Sequence, residues 1–476
     1  MCTDGFANRL RAGEVGFRRR RSGGRRGMMK KVLTTLLLIA ATALFGAYRG
    51  HKIEMDHADG YYRAGETATC RVTLCADGVP LKGTRARGIV RWEGKAVERR
   101  EFATTGEPVE FTYKSDKPGW VFFSFQVLDD NGKLLSGPGV QKHPAKPSIT
   151  TEAGALFSAD GIRTGVKRPA DFDEFWAARR AELDKVPLKP RFSRLPDPEP
   201  GIKFYTVEIP CAGDFPVSGY LALPANAKPK SCPAYVDWAS WMASDTSPGF
   251  AIRRAKQGAI GFTPTWHGRP CNMGKDYYNY NTTIRIAGGL AGIESRDTWC
   301  FGDMYYRVMR SLDFVKSLPE WDGKTLVSVG GSLGGAQSVA AAALDPAVTT
   351  AVIDVPCFCE FDGDASGRKH SIPIIHITDR IANGDRRPLE TCAYFDCVNF
   401  APMIKCEVYV CTGFSDELCP PSNVFAFYNA LPATTKKLMS TSPYTGHYGT
   451  TANPKAKKRL EELQGDVKVF RYDGKQ

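Results

Sequence analysis

Residues 326–345, LVSVGGSLGGAQSVAAAALD, hold the most chemically pointed arrangement in the chain. A β-branched run ends in Gly330-Gly331-Ser332-Leu333-Gly334-Gly335, and an alanine-rich stretch of helical composition follows at once. This is G-x-S-x-G between strand and helix, the context in which the motif lifts a serine out as a nucleophile. Glycines are needed because so sharp a turn brings neighbouring backbone within contact distance. The first turn of the helix carries unpaired N–H groups, aimed where an oxyanion would develop. Gly-rich strand–helix turns also occur in α/β proteins with no such role, so the serine needs an acid and a base.

In this context the partners follow in the order acid, then histidine. The histidines stand at 51, 57, 143, 267, 370, 376 and 447. His447 sits in Ser442-Pro443-Tyr444-Thr445-Gly446-His447-Tyr448-Gly449, a polar, glycine-flanked loop suited to a general base. Upstream, CEVYVCTGFSDELCPPS reads as a buried strand running into a turn with Asp416, after which PPS opens an amphipathic helix over 422–428. Asp416 thus falls at the C-terminal end of a strand, the edge where open parallel sheets place their ligands. Glu417 competes with it, and an aspartate near a helix start is also an ordinary turn residue.

Beyond these motifs, the chain over about 165–450 resembles the acetyl xylan esterase and cephalosporin-C deacetylase family of α/β-hydrolases, carbohydrate esterase family 7. The likeness begins at DFDEFWAARRAELDKVPLKPRF and continues through GIESRDTW and MYYRVMRSLDFVKSLPEWD. After the serine turn it resumes in IDVPCFCEF, YFDCVNFA, GFSDELCPPSNVFAFYNAL and YTGHYG. It implies Ser332 as nucleophile, Asp416 as orienting acid and His447 as base. It also implies an oxyanion hole of two backbone amides, at Leu333 and at Trp241 in PAYVDWASW. The implied reaction is two-step acyl transfer through an acetyl-enzyme on acetylated oligosaccharides or small acetyl esters. No metal or other cofactor is called for: HExxH and paired CxxC motifs are lacking, and Cys357-Phe358-Cys359 does not have ligand spacing. The family often forms hexamers with inward-facing sites, so a homo-oligomer is compatible with the resemblance.

The chain departs from the family in the shell around the pocket. An Arg-Gly-Gln motif is here His267-Gly268-Arg269, the Gln after the nucleophile is Leu333, and a His-Glu pair is His447-Tyr448. His267 and Arg269 are therefore candidate substrate contacts, with a loop-holding role for His267 as the alternative. Two other accounts fit parts of the pattern. The serine turn would also suit a peptidase or dienelactone-type hydrolase of the same fold. The altered positions would suit a non-catalytic, carbohydrate-binding protein of the cell envelope, which the complete Ser332, Asp416 and His447 set opposes.

The formal net charge of +13 is unevenly spread: residues 1–31 carry ten Lys/Arg against two Asp/Glu, leaving +5 for the rest. RRRRSGGRR at 18–26 has no nucleic-acid-binding module beside it, so nucleic acid is not an expected partner. Met28-Met29-Lys30-Lys31 precedes VLTTLLLIAATALFGA, a basic stretch, apolar run and small-residue exit that read as a signal peptide over 28–47. Residues 1–27 then read as an over-extended start. The expected setting is periplasmic or secreted, with membrane contact only if this segment stays uncleaved. Fourteen cysteines would be free to pair in that setting, but most fall in apolar stretches, where cysteine packs as a small hydrophobe.

The elements that must position the chemistry fall into two units. Over 51–147, ATCRVTL, GIVRWEG, PVEFTYKS and WVFFSFQVLDD alternate apolar and polar residues between ADGVP, SDKPG and DNGK turns, predicting a small all-β sandwich. Trp92 and Trp120 lie in it and would serve its core or a polysaccharide, core being the ordinary use of such aromatics. HPAKPSITTEAG, 143–154, reads as a linker, and 150–476 as the esterase unit. From about 205, short apolar strands alternate with helices, predicting an α/β-hydrolase with a mainly parallel, doubly wound sheet.

Overall fold

The computed structural model describes residues 50–135, 150–241, 245–274, 276–278 and 289–447. Period-2 segments in the first stretch form β1 (Lys52–Met55), β2 (Tyr61–Tyr62), β3 (Thr67–Thr73), β4 (Cys75–Ala76), β5 (Val79–Pro80), β6 (Lys82–Trp92), β7 (Lys95–Thr105), β8 (Val109–Lys114) and β9 (Gly119–Val127). They make a three-stranded sheet, β1-β3-β8, and a five-stranded sheet that also takes in β10 (Thr150–Phe157), in the order β2-β10-β9-β6-β7. Met55, Val72, Phe111 and Phe125 close the space between the sheets. β7, KAVERREFATT, was not foreseen: it is a mostly exposed edge strand, and the charges that protect such an edge erase the alternation.

Sequence placed the start of the hydrolase at 150, yet Thr150–Phe157 pairs antiparallel with β9 and parallel with β2. The strand stays with the first sheet because Ala153, Ala155 and Phe157 finish its core.

The second unit holds a nine-stranded sheet: β11 (Arg191–Arg194), β12 (Ile202–Ile209), β13 (Val217–Pro224), β14 (Cys232–Trp238), β15 (Ile260–Pro264), β16 (Trp321–Gly331), β17 (Thr350–Asp354), β18 (Glu407–Gly413) and β19 (Lys437–Ser442). Its order is β11-β12-β13-β15-β14-β16-β17-β18-β19. The first three strands are antiparallel to their neighbours, and everything from β15 to β19 is parallel. Parallel strands covered on both faces need continuous apolar runs, as in TAVID of β17, buried throughout.

Helices α1 (Phe172–Asp184), α2 (Pro248–Lys256), α3 (Gly302–Ser317), α4 (Leu333–Leu344) and α5 (Pro421–Ala430) cover the sheet. Arg254 of α2, fully buried, pairs bidentately with Asp237 of β14 at 2.7 and 3.0 Å, fixing the strand that leads to Trp241. α5 was expected to be amphipathic, but Pro421–Phe427 are all buried. The β unit covers what would have been its polar face: Ser422 Oγ–H donates to Glu93 Oε2 at 2.7 Å, and Phe425 meets Tyr61.

The two units share one core. Trp120, Phe122 and Leu156 pack with hydrolase residues rather than with the sandwich interior. Trp120 is fully buried, and its Nε1–H donates to the Phe414 carbonyl at 2.7 Å. Trp92 stacks on Tyr113 with ring centroids 5.2 Å apart. No helix among the described residues is long and apolar enough to cross a membrane.

Candidate active site

Ser332 stands between β16 and α4 with φ 56° and ψ −120°, a conformation held in place by its surroundings. Its N–H donates to the Asp354 carbonyl at 2.9 Å, and its carbonyl accepts from Cys357 N–H at 3.0 Å. The glycines around it are sterically required. A Cβ on Gly330 would stand 2.1 Å from the Gly334 carbonyl oxygen, and one on Gly334 would stand 2.5 Å from that of Trp238. The first turn of α4 therefore lies directly on the sheet, with Ser332 raised above it.

The acid and the histidine come from adjoining loops. Asp416 follows β18 and is buried; its Oδ1 accepts from the N–H groups of Leu418 at 2.8 Å and Cys419 at 2.9 Å. Glu417 turns outward, its side chain 39% exposed, and leaves the interior to Asp416. The loop after β19 is stitched to the acid turn: Phe414 N–H donates to the Ser442 carbonyl, Ser415 N–H to that of Thr445 and Ser415 Oγ–H to that of Pro443. A Cβ on Gly413 would lie 2.0 Å from the Thr445 carbonyl oxygen, so only glycine lets the loops approach this closely. His447 thus reaches both partners. Its Nδ1 lies 2.9 Å from Asp416 Oδ2, and its Nε2 lies 3.0 Å from Ser332 Oγ. In the neutral imidazole with Nδ1–H donating to the carboxylate, Nε2 accepts a hydrogen bond from the Ser332 hydroxyl.

Burial lowers the pKa of His447, but the Asp416 carboxylate, by charge and hydrogen bond, outweighs it and pushes the imidazole up to about 9. Cys357 and Asp354 add in the same direction. Burial pushes the Asp354 carboxyl up to about 7 against the pull of His447.

Leu333 is the first residue of α4 and is buried. Trp241 lies on the segment after β14, which is clamped to the serine turn where Ser240 Oγ–H donates to the Gly331 carbonyl at 2.9 Å and Gln337 Nε2–H to that of Ala239 at 2.9 Å. Its indole packs edge-on against Phe301 at 4.9 Å. His267 and Arg269 lie on the turn after β15. His267 is buried and its Nδ1 accepts from Arg269 N–H at 3.1 Å, while the Arg269 guanidinium covers the Phe215 ring at 4.5 Å. These contacts organise their own turn and hold it against Phe215. Tyr448 lies outside the described residues.

Two cysteines at the site had no assigned part in the sequence reading. Cys357 Sγ is 3.1 Å from Ser332 Oγ, and Cys419 Sγ is 3.4 Å from Cys357 Sγ. Their only signal was position, one just after β17 and the other three residues past Asp416. Asp416, Cys419 and His447 offer ligand atoms within 4.8 Å of one another, a spacing that would admit a metal ion. Asp416 and His447 are, however, already hydrogen-bonded to each other.

Comparison with known proteins gives this geometry its family. Residues 160–460 match the profile described as acetyl xylan esterase (AXE1). The acetyl esterase Axe7A of Xylanibacter ruminicola is 28% identical over 409 residues, covering 83% of this chain and 86% of that protein. The solved acetyl xylan esterase from Paenibacillus sp. R4 superposes with a TM-score of 0.55 at 25% identity, over 65% of this chain and 98% of that one. Acetyl xylan esterase 1 from Thermoanaerobacterium sp. JW/SL YS485 gives 0.53 at 21% identity, over 66% and 98%, a likeness of fold. The chain belongs to the acetyl xylan esterase family and is a carboxylic ester hydrolase, an acetyl esterase, built on the α/β-hydrolase fold.

Proposed function

We propose that the chain removes acetyl groups from acetylated sugars by a Ser332–His447–Asp416 relay. The observation that supports this most is the pair of contacts on one imidazole, 2.9 Å to Asp416 and 3.0 Å to Ser332. Neutral His447 takes the Ser332 proton through Nε2 as Oγ attacks the acetyl carbonyl. Asp416 holds the tautomer and stabilises the imidazolium that forms. The oxyanion is met by the backbone N–H groups of Leu333 and Trp241; losing one such donor costs about 10²–10³ in rate. His447 then protonates the departing sugar hydroxyl, and water repeats the sequence on the acetyl-enzyme. Family membership and the names of its relatives support acetylated xylan fragments or similar oligosaccharides as the substrate class. The basic and apolar segment 28–47 supports export of the enzyme to where such polymers lie.

The test is acetate release from acetylated xylo-oligosaccharides, glucose pentaacetate and cephalosporin C, with Ser332→Ala alongside. Release from the sugar esters by the parent and its near-complete loss in Ser332→Ala is the expected result. Equal rates from both proteins would remove the assignment, and release from cephalosporin C alone would redirect the substrate class.

A further inference from the structure

The catalytic scheme uses neither Cys357 nor Cys419, yet the two thiols sit inside the site. Both are buried, at 0% and 2% exposure, and their sulfurs are 3.4 Å apart. Each is tied to a different member of the proposed relay. Cys357 N–H donates to the Ser332 carbonyl at 3.0 Å, and its sulfur touches Ser332 Oγ at 3.1 Å. Cys419 N–H donates to the Asp416 carboxylate at 2.9 Å. A covalent link between these sulfurs would join the nucleophile's turn to the acid's turn.

We propose that Cys357 and Cys419 form a peroxide-sensitive dithiol site whose disulfide reversibly switches the esterase off. The thiolate is the reactive form of cysteine, and local electrostatics supply it. Burial raises the Cys357 thiol, but the Cys419 hydrogen bond, the His447 charge and the Ser332 hydroxyl outweigh it and set it below the ordinary value. Cys419 is pushed well above its own by burial and by the Cys357 sulfur. Cys357, whose sulfur lies 3.1 Å from the partly exposed Ser332, is the attacking sulfur, and Cys419 is the resolving one. The Cys357 thiolate attacks a peroxide oxygen and becomes a sulfenic acid, releasing hydroxide. Cys419 sulfur then attacks the sulfenic sulfur, the S–S bond forms, and water leaves with the thiol proton. In sum, two thiols and one hydrogen peroxide give one disulfide and two waters. Peroxide is small enough to reach Cys357 past the partly exposed Ser332 and His447.

The sulfurs must close from 3.4 Å to about 2.05 Å, the length of a disulfide. That movement draws Cys357 away from Ser332 Oγ and pulls on the Cys419 amide that holds Asp416. Ångström-scale misplacement of reacting groups costs on the order of 10²-fold in rate. This loss rests on the triad reading above, whereas the bond itself does not.

The experiment treats purified enzyme with hydrogen peroxide in the presence of a chelator and follows p-nitrophenyl acetate turnover. Cross-linked peptides are mapped by mass spectrometry before and after dithiothreitol, with fragmentation to separate Cys357 from Cys359. We expect a Cys357–Cys419 link, a fall of roughly 10²-fold in turnover and recovery of both with dithiothreitol. In Cys419→Ala and Cys357→Ala, each compared with its own untreated rate, the dithiothreitol-reversible loss is expected to vanish. No link in treated parent enzyme, a link with undiminished turnover, or an equal reversible loss in Cys419→Ala would each overturn the proposal. Equal turnover by parent and Ser332→Ala would instead overturn the triad reading and leave the mapped bond standing.

Discussion

At the scale of single residues, the three side chains of the proposed relay have different expected costs of removal. Ser332→Ala and His447→Ala are each expected to lower kcat by roughly 10⁶-fold, and Asp416→Asn by about 10⁴-fold, in steady-state assays with p-nitrophenyl acetate. The position of His447 also sets a pH dependence. Burial lowers its pKa, but the Asp416 charge and hydrogen bond together with Cys357 and Asp354 outweigh burial and raise it to about 9, and only the neutral imidazole accepts the serine proton. The neutral fraction grows as pH rises through that value, so kcat/KM should climb about tenfold per pH unit below it and level off above. Cys357 is among the groups that hold His447 up, so Cys357→Ala should move this limb to lower pH. A limb unmoved in Cys357→Ala would remove that coupling. That Ser332 and His447 would meet was legible because turn chemistry and chain order restrict their neighbours, and that Asp416 would join them only to within one residue. Side-chain burial separates it from Glu417, whose side chain faces outward. Cys357 was not legible, since its role comes from a contact across 25 residues between two loops.

At the scale of elements, the acid turn and the histidine loop lean on the β unit. Trp120 on β9 donates to the Phe414 carbonyl, two residues before Asp416. Gly154 N–H on β10 donates to the Pro443 carbonyl at 2.8 Å, and Met55 N–H on β1 donates to Tyr444 Oη at 3.0 Å. Replacing Trp120 with Phe leaves a buried carbonyl unpaired, costing about 1–3 kcal/mol of stability in denaturant titration. It should lower kcat more than it alters KM, because the displacement falls on the turn that carries Asp416. Gly154→Ala is expected to be worse, since its Cβ would stand 1.8 Å from the Phe414 carbonyl oxygen. Full activity and stability in Gly154→Ala would show that the β unit does not constrain the acid turn. The hydrolase strands were legible as apolar runs, but the assignment of 150–157 was not. TTEAGALF suits either unit, and only its pairing with β9 decides.

At the scale of the whole molecule, the β unit is continuous with the enzyme. Glu93 on the turn after β6 is buried, accepting from Trp120 N–H at 2.6 Å and from Ser422 Oγ–H on α5. Burial pushes its carboxyl up to about 7 despite these bonds. A shared core of this kind predicts a single calorimetric unfolding transition for the full chain. Two resolved transitions would mean that the units fold independently, which the sandwich-plus-linker pattern by itself suggests. Sequence could not show the merger, because Trp120 read as sandwich core or a polysaccharide contact until the Phe414 loop is seen against it.

The central claim is that acetyl passes through Ser332 Oγ. Rapid-quench mass spectrometry of the enzyme with p-nitrophenyl acetate tests this most directly. The account predicts an acetyl group on the Ser332 peptide during turnover, lost on standing and never seen in Ser332→Ala. Acetyl carried on Cys357, or turnover by Ser332→Ala at the parent rate, would contradict it.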